Sequence, residues 1–179
     1  FGKYYQNSTE PIINDIFVFF NSNNVEMVIE SYFLNVLKEK KIIEKDYKTF
    51  SSHSELDSSF DMLVSIGGDG TILRAATLVR DSGVPILGIN AGRLGFLATV
   101  QKDNISEFLQ LIIDKKYPIS KRTLLSLTSS PENESIQELN FALNEISVSR
   151  KETTSMITIE TYLNGEFLNS YWADGLIIS

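Results

Sequence analysis

Residues 65–71, SIGGDGT, hold the densest chemistry in the chain. An apolar run ends there, glycines make a turn, and a helical pattern starts at Thr71. Gly67, Gly68 and Gly70 allow unusual backbone angles and close approach of a ligand to the main chain. The helix that follows offers unpaired N–H groups and a partial positive charge, so a turn of this kind binds phosphate. It is not a Walker A loop, since no Gly-Lys-Ser/Thr follows, nor a G-x-G-x-x-G dinucleotide fingerprint. Asp69 is the odd member, because a carboxylate works against phosphate affinity. It makes sense if it accepts the proton of a hydroxyl nucleophile or helps to place Mg²⁺. As a plain turn, the same residues would use Asp69 for an Asx-type hydrogen bond.

A second glycine-rich stretch, GINAGRLGFLA (88–98), ends the next apolar run. Ligands of open α/β sheets gather at the carboxyl ends of strands, so the two turns could line one crevice. Taken alone, the second stretch also reads as a structural turn. Asn144 and Glu145 interrupt the β-patterned FALNEISVSR (141–150), as a bulge, an exposed face, or a pair that holds sugar hydroxyls. Asp174-Gly175 by itself reads as a turn. His53 is the single histidine, in a serine-rich polar stretch, and has no company for metal or acid–base work. Trp172 and the tyrosines read as packing groups, because no basic stripe accompanies them.

The elements that must position these residues fall into two styles. Up to about residue 100, helical and strand patterns alternate. A helix capped by Thr9 with Pro11 in its first turn precedes a strand at 25–29, a helix at 31–41 and a strand at 47–51. Compact apolar strands at 61–66 and 84–90 bracket a helix over 71–81. This order predicts a parallel sheet wrapped by helices. Residues 104–116 match the helical apolar template most clearly. After Tyr117-Pro118 the segments 119–129, 140–149 and 156–163 are β-branched and alternating, and Asn164-Gly165 marks a hairpin. The expected architecture is therefore an α/β domain over 1–100 and a β-rich antiparallel, sandwich-like domain over 101–179. Residues 129–139 read as a polar, mobile loop. The chain opens on a loop-like segment and stops inside an apolar run, which reads as a piece of a longer protein, truncated in its second domain.

Composition sets the outer limits. The chain has 179 residues, 42% of them hydrophobic and 22% charged, which excludes a disordered or fibrous chain. Its net charge of −7 argues against nucleic acid and anionic membrane surfaces as partners. The absence of cysteine excludes disulfides, thiolate catalysis and cysteine-based zinc sites, and suits a reducing compartment such as the cytoplasm. No apolar run is long enough to span a membrane.

GGDGT (67–71), NAGRLGFL (90–97), NE (144–145) and DGL (174–176), in this order and spacing, resemble the bacterial type of NAD kinase. GGDGT alone is shared with diacylglycerol and sphingosine kinases; the other elements narrow the resemblance. It implies an α/β domain followed by a β-rich one, and transfer of the γ-phosphoryl group of ATP, with a divalent metal such as Mg²⁺, to the 2′-hydroxyl of the adenosine ribose of NAD. It places the proton acceptor on Asp69. It places dinucleotide binding on Gly67, Gly68, Gly70 and Thr71, on Arg74 and Phe96, and on Asn144, Glu145 and Asp174; no residue is assigned as a metal ligand. It further implies a homodimer or homotetramer, a strand ahead of residue 2, and a Thr-, Gly- and Ser-rich nucleotide-binding stretch after residue 176. The competing readings are a lipid kinase of the diacylglycerol type and a non-catalytic nucleotide-sensing module.

Overall fold

A computed structural model describes residues 1–5, 8–92, 95–151 and 155–179. Arg93 and Leu94, inside the second glycine-rich stretch, lie outside them. The chain forms two compact units, residues 1–120 and 121–179.

In the first unit, helix α1 (Thr9–Ser22) buries Ile12, Ile13, Ile16 and Phe20, the stripe its 3.6-residue period creates. Its N-cap is Ser8, one residue before the expected Thr9. Thr9 is instead buried, and its hydroxyl accepts the N–H of Tyr5 at 2.8 Å. Asn24 ends the helical run with φ of 53°, a conformation asparagine tolerates. Strand β1 (Val28–Glu30) runs directly into α2 (Ser31–Glu39). The Glu30 carboxylate caps that helix, accepting the N–H of Tyr32 at 3.1 Å and of Phe33 at 2.8 Å. Strand β2 (Lys48–Phe50) pairs parallel with β1.

Strands β3 (Leu63–Gly67) and β4 (Ile86–Asn90) pair in parallel, Leu63 opposite Ile86 and Gly67 opposite Asn90. Between them runs α3 (Asp69–Val79), which starts two residues earlier than its apolar pattern suggests. Further parallel bridges join Gly2 to Ile66 and Ile89 to Val100. The opening of the chain is therefore not loop-like. Ile66 N–H donates to the Phe1 carbonyl at 3.0 Å and Lys3 N–H to the Ile66 carbonyl at 2.9 Å. Alternation of side chains along the strands gives each face its own core. Ile66 and Ile89 pack with α1, α2 and helix α4 (Ile105–Ile113). Leu63 packs with Ala75 and Val79 of α3.

The units divide after Ser120, later than the boundary near residue 100 expected from the change in pattern. The physical reason is α4. Ile105 and Leu109 are wholly buried in the core shared with α1, so this helix belongs to the first unit.

The second unit is antiparallel. Strand β5 (Leu125–Ser126) pairs with β6 (Phe141–Ala142), and β7 (Ile146–Ser149) pairs with β10 (Gly175–Ile178). The hairpin of β8 (Ile157–Leu163) and β9 (Glu166–Ala173) turns at Asn164 and Gly165, both at positive φ, 53° and 88°. Two successive positive φ values match the right-handed twist of the strands. The polar stretch 129–139 is not an open loop. It holds helix α5 (Glu134–Glu138), capped by the Asn133 side chain, which accepts the N–H of Ser135 at 3.0 Å and of Ile136 at 3.3 Å.

Candidate functional site

Both glycine-rich turns lie at the carboxyl edge of the β3–β4 pair, because Gly67 and Asn90 are opposed at the ends of the two strands. Parallel pairing with helical crossovers makes this edge the place where loops collect. Gly67 is required by crowding, since a Cβ there would stand 2.2 Å from the Thr71 hydroxyl oxygen. Gly68 is the extended N-cap of α3, and the Thr71 N–H closes the turn onto the Gly68 carbonyl at 2.9 Å. Thr71 is buried, whereas Gly70 sits in the first helical turn with open space where a side chain would be. The loop thus puts Asp69 in the first turn of α3, where a carboxylate also complements the helix dipole.

The Asp69 carboxylate reaches across to the second turn. Its Oδ2 accepts the N–H of Phe96 at 2.8 Å, and its Oδ1 accepts those of Leu97 at 2.9 Å and Ala98 at 3.1 Å. These hydrogen bonds, that from Phe96 foremost, hold the carboxyl below its ordinary pKa. It is therefore ionised at neutral pH and able to receive a proton, as a weaker base than a free aspartate. The two turns, which by sequence could line one crevice, are joined at one side chain.

Two other residues implied by the resemblance lie in this unit. Phe96 is 95% exposed, with its ring free of the core. Arg74 lies on the exposed side of α3, its guanidinium 5.4 Å above the ring of Phe1. The rest lie in the second unit. Asn144 and Glu145 form neither a bulge nor part of a strand face; they are exposed in the bend that joins β6 to β7. Asp174 is the bend between β9 and β10. Its carboxylate pairs with the Arg150 guanidinium at 3.2 Å, and its carbonyl accepts the Arg150 N–H at 2.9 Å. Arg150 also donates to the Ser155 carbonyl at 3.1 Å.

Two residues that touch predicted site positions escape the sequence reading. Arg150 ends the FALNEISVSR run with no local sign of its partner, which lies across the β7–β10 ladder. Gly95 reads as one glycine among several, yet a Cβ on it would lie 2.3 Å from the nearer oxygen of Asp69. His53 lies in a one-turn 3₁₀ helix (His53–Glu55).

The description "ATP-NAD kinase N-terminal domain" fits residues 4–117, well over half of the chain. The chain belongs to the NAD kinase family. It is 73% identical to the NAD kinase of Flavobacterium johnsoniae over all of its residues, covering 61% of that protein. It is 46% identical to the NAD kinase of Christiangramia forsetii, again over the whole chain and 61% of the relative. The chain thus spans about three fifths of the curated relatives it matches. Among solved structures, yeast NADH kinase complexed with NADH matches with a TM-score of 0.79 at 20% identity, over 99% of this chain and 55% of that one, which shows the fold. An NAD kinase from Archaeoglobus fulgidus in complex with ATP matches with a TM-score of 0.53 at 28% identity, over 84% of this chain and 58% of the other.

Proposed function

We propose that the complete protein to which this chain belongs phosphorylates NAD to NADP with ATP. The observation that carries the reading is the meeting of the two motifs on Asp69 at one strand edge, in a chain of this family. The names of its relatives and an ATP-bound neighbour support the same donor and acceptor. The ribose 2′-oxygen attacks the γ-phosphorus and forms a new P–O bond. The bond to the bridging oxygen breaks, and its electron pair leaves with ADP. The hydroxyl proton passes to the Asp69 carboxylate. Glycine-loop N–H groups and the α3 dipole stabilise phosphate charge, and positioning supplies much of the acceleration. Gly67, Gly68, Gly70, Thr71, Arg74, Phe96, Asn144, Glu145 and Asp174 bind the dinucleotide in this reading.

A divalent ion fits on one condition. Among the described residues no group of three or more His, Asp or Glu could hold a metal by itself. Mg²⁺ carried by nucleotide phosphates keeps several waters and draws on few protein groups. The acceptor direction left on Asp69 Oδ2 serves the proton, so the ion would be held through the phosphates. Bound there, the ion would neutralise charge on the transferring phosphoryl group.

No helix among the described residues is long and apolar enough to cross a membrane, and no observation favours the lipid-kinase or sensing-module readings. We read the protein as cytoplasmic and as a homodimer or homotetramer, which light scattering of the complete protein would check. The activity test is NADP formation from NAD and Mg-ATP by the complete reading frame, with Asp69→Asn beside it. The variant should keep its fold and lose about 10²- to 10⁴-fold in turnover. A folded complete protein that makes no NADP would end this reading.

A further inference from the structure

We infer that the Asp69 carboxylate is also a buckle for residues 95–98, and that Gly95 is a positioning residue because it leaves room for that buckle. The inference rests on the kinase reading above and assigns it an atom. Three consecutive N–H groups, from Phe96, Leu97 and Ala98, converge on one carboxylate at 2.8 to 3.1 Å. The Phe96 side chain is 95% exposed, so its own packing does not hold this part of the loop. Backbone pairing with β4 is reached at Val100, whose N–H donates to the Gly88 carbonyl at 3.2 Å. Glycine at 95 has a steric reason. It is explained by the carboxylate, since a Cβ would lie 2.3 to 2.5 Å from the three Asp69 carboxyl atoms.

The arrangement also separates the two oxygens. Oδ1 accepts two hydrogen bonds and Oδ2 one. A carboxylate oxygen has two good acceptor directions. Oδ2 is therefore the oxygen left free to take the hydroxyl proton, and the buckle fixes where it points. Asp69 is the residue that touches substrate; Gly95 acts through it.

The test uses the complete protein, unmodified and as Gly95→Ala, and follows amide hydrogen exchange and steady-state kinetics together. In the unmodified protein the amides of 96–98 should exchange at least about tenfold more slowly than an open loop allows. Gly95→Ala should release them by a similar factor and lower kcat by about 10- to 100-fold, with KM for NAD and ATP within about threefold. A merely structural glycine would lower thermal stability without that split. Open-loop exchange in the unmodified protein overturns the buckle. Freed amides with kcat within about twofold of normal overturn the positioning role. If Gly95→Ala fails to fold, Asp69→Asn decides instead: it removes one acceptor, so unchanged exchange at 96–98 would count against the buckle. Absence of NADP formation by the unmodified protein sinks the kinase reading, and exchange at 96–98 then still decides the buckle.

Discussion

The two units use the same apolar residue types to different ends. In the first, β3 and β4 are covered on both faces, by α1, α2 and α4 on one and α3 on the other. Every buried hydrophobic side chain among the described residues lies between Phe1 and Leu109. In the second, Leu163, Phe167, Leu168 and Trp172 of the long hairpin all stand exposed, and Phe167 meets Tyr162 edge-on across the strands at 5.6 Å. A crossover helix brings a cover with each parallel strand, whereas an antiparallel hairpin brings none. The first unit therefore draws its order from core burial, and the second from ladder hydrogen bonds, turns and cross-strand pairs.

The sharpest test of that contrast is a matched pair of leucine truncations. Leu109→Ala removes a side chain with 0% exposure and should cost about 2–5 kcal/mol in denaturant unfolding. Leu168→Ala, at a position 59% exposed, should stay within about 0.5 kcal/mol. Equal losses would break the comparison.

A smaller effect is expected where the second unit fixes a proposed binding residue, Asp174, by charge. The Arg150–Asp174 pair is partly exposed, so Arg150→Ala should cost less than about 1 kcal/mol of stability. If Asp174 contacts the dinucleotide, KM for NAD should rise several-fold, with partial recovery in Arg150→Lys. An unchanged KM would remove Arg150 from the site.

The smallest effect concerns pH. The Asp69 carboxyl is held below its ordinary pKa by the N–H groups of Phe96, Ala98 and Leu97. Its contribution is present above the unfolded carboxylate range and is lost as pH falls through the lower folded value. Amide protection at 96–98, corrected for intrinsic rates, should thus be flat from about pH 7 to about pH 5 and fail only below about pH 4. Loss nearer neutrality would mean that the hydrogen bonds to Asp69 do not form in solution.

Much of the first unit is legible in local pattern. Apolar periodicity finds α1, α2, α3 and α4, and the compact apolar runs find β3 and β4. The departures have particular causes. The cap of α1 moves to Ser8 because Thr9 is drawn inward to the Tyr5 N–H. The division between units moves past α4 because that helix finds its partner in α1, far away in sequence. Helix α5 is missed because five residues give too short a window for periodicity, although Asn133 supplies an ordinary cap. Of the predicted site, residue types mark GGDGT, whereas the second glycine-rich stretch, Asn144-Glu145 and Asp174 stand out only through the family resemblance; neither tells what each side chain touches.

By itself the sequence determined the alternation of helices and strands, the Asn164-Gly165 turn and the presence of two glycine-rich loops, because each follows from residues near one another in the chain. Only the tertiary structure decided that one carboxylate joins those loops, that Gly95 must lack a side chain, and that Arg150 faces Asp174. Those contacts span 24 to 29 residues, and strand pairing sets them. No local rule carries that information, since β3 meets β4 through a helical crossover and β7 meets β10 beyond the β8–β9 hairpin.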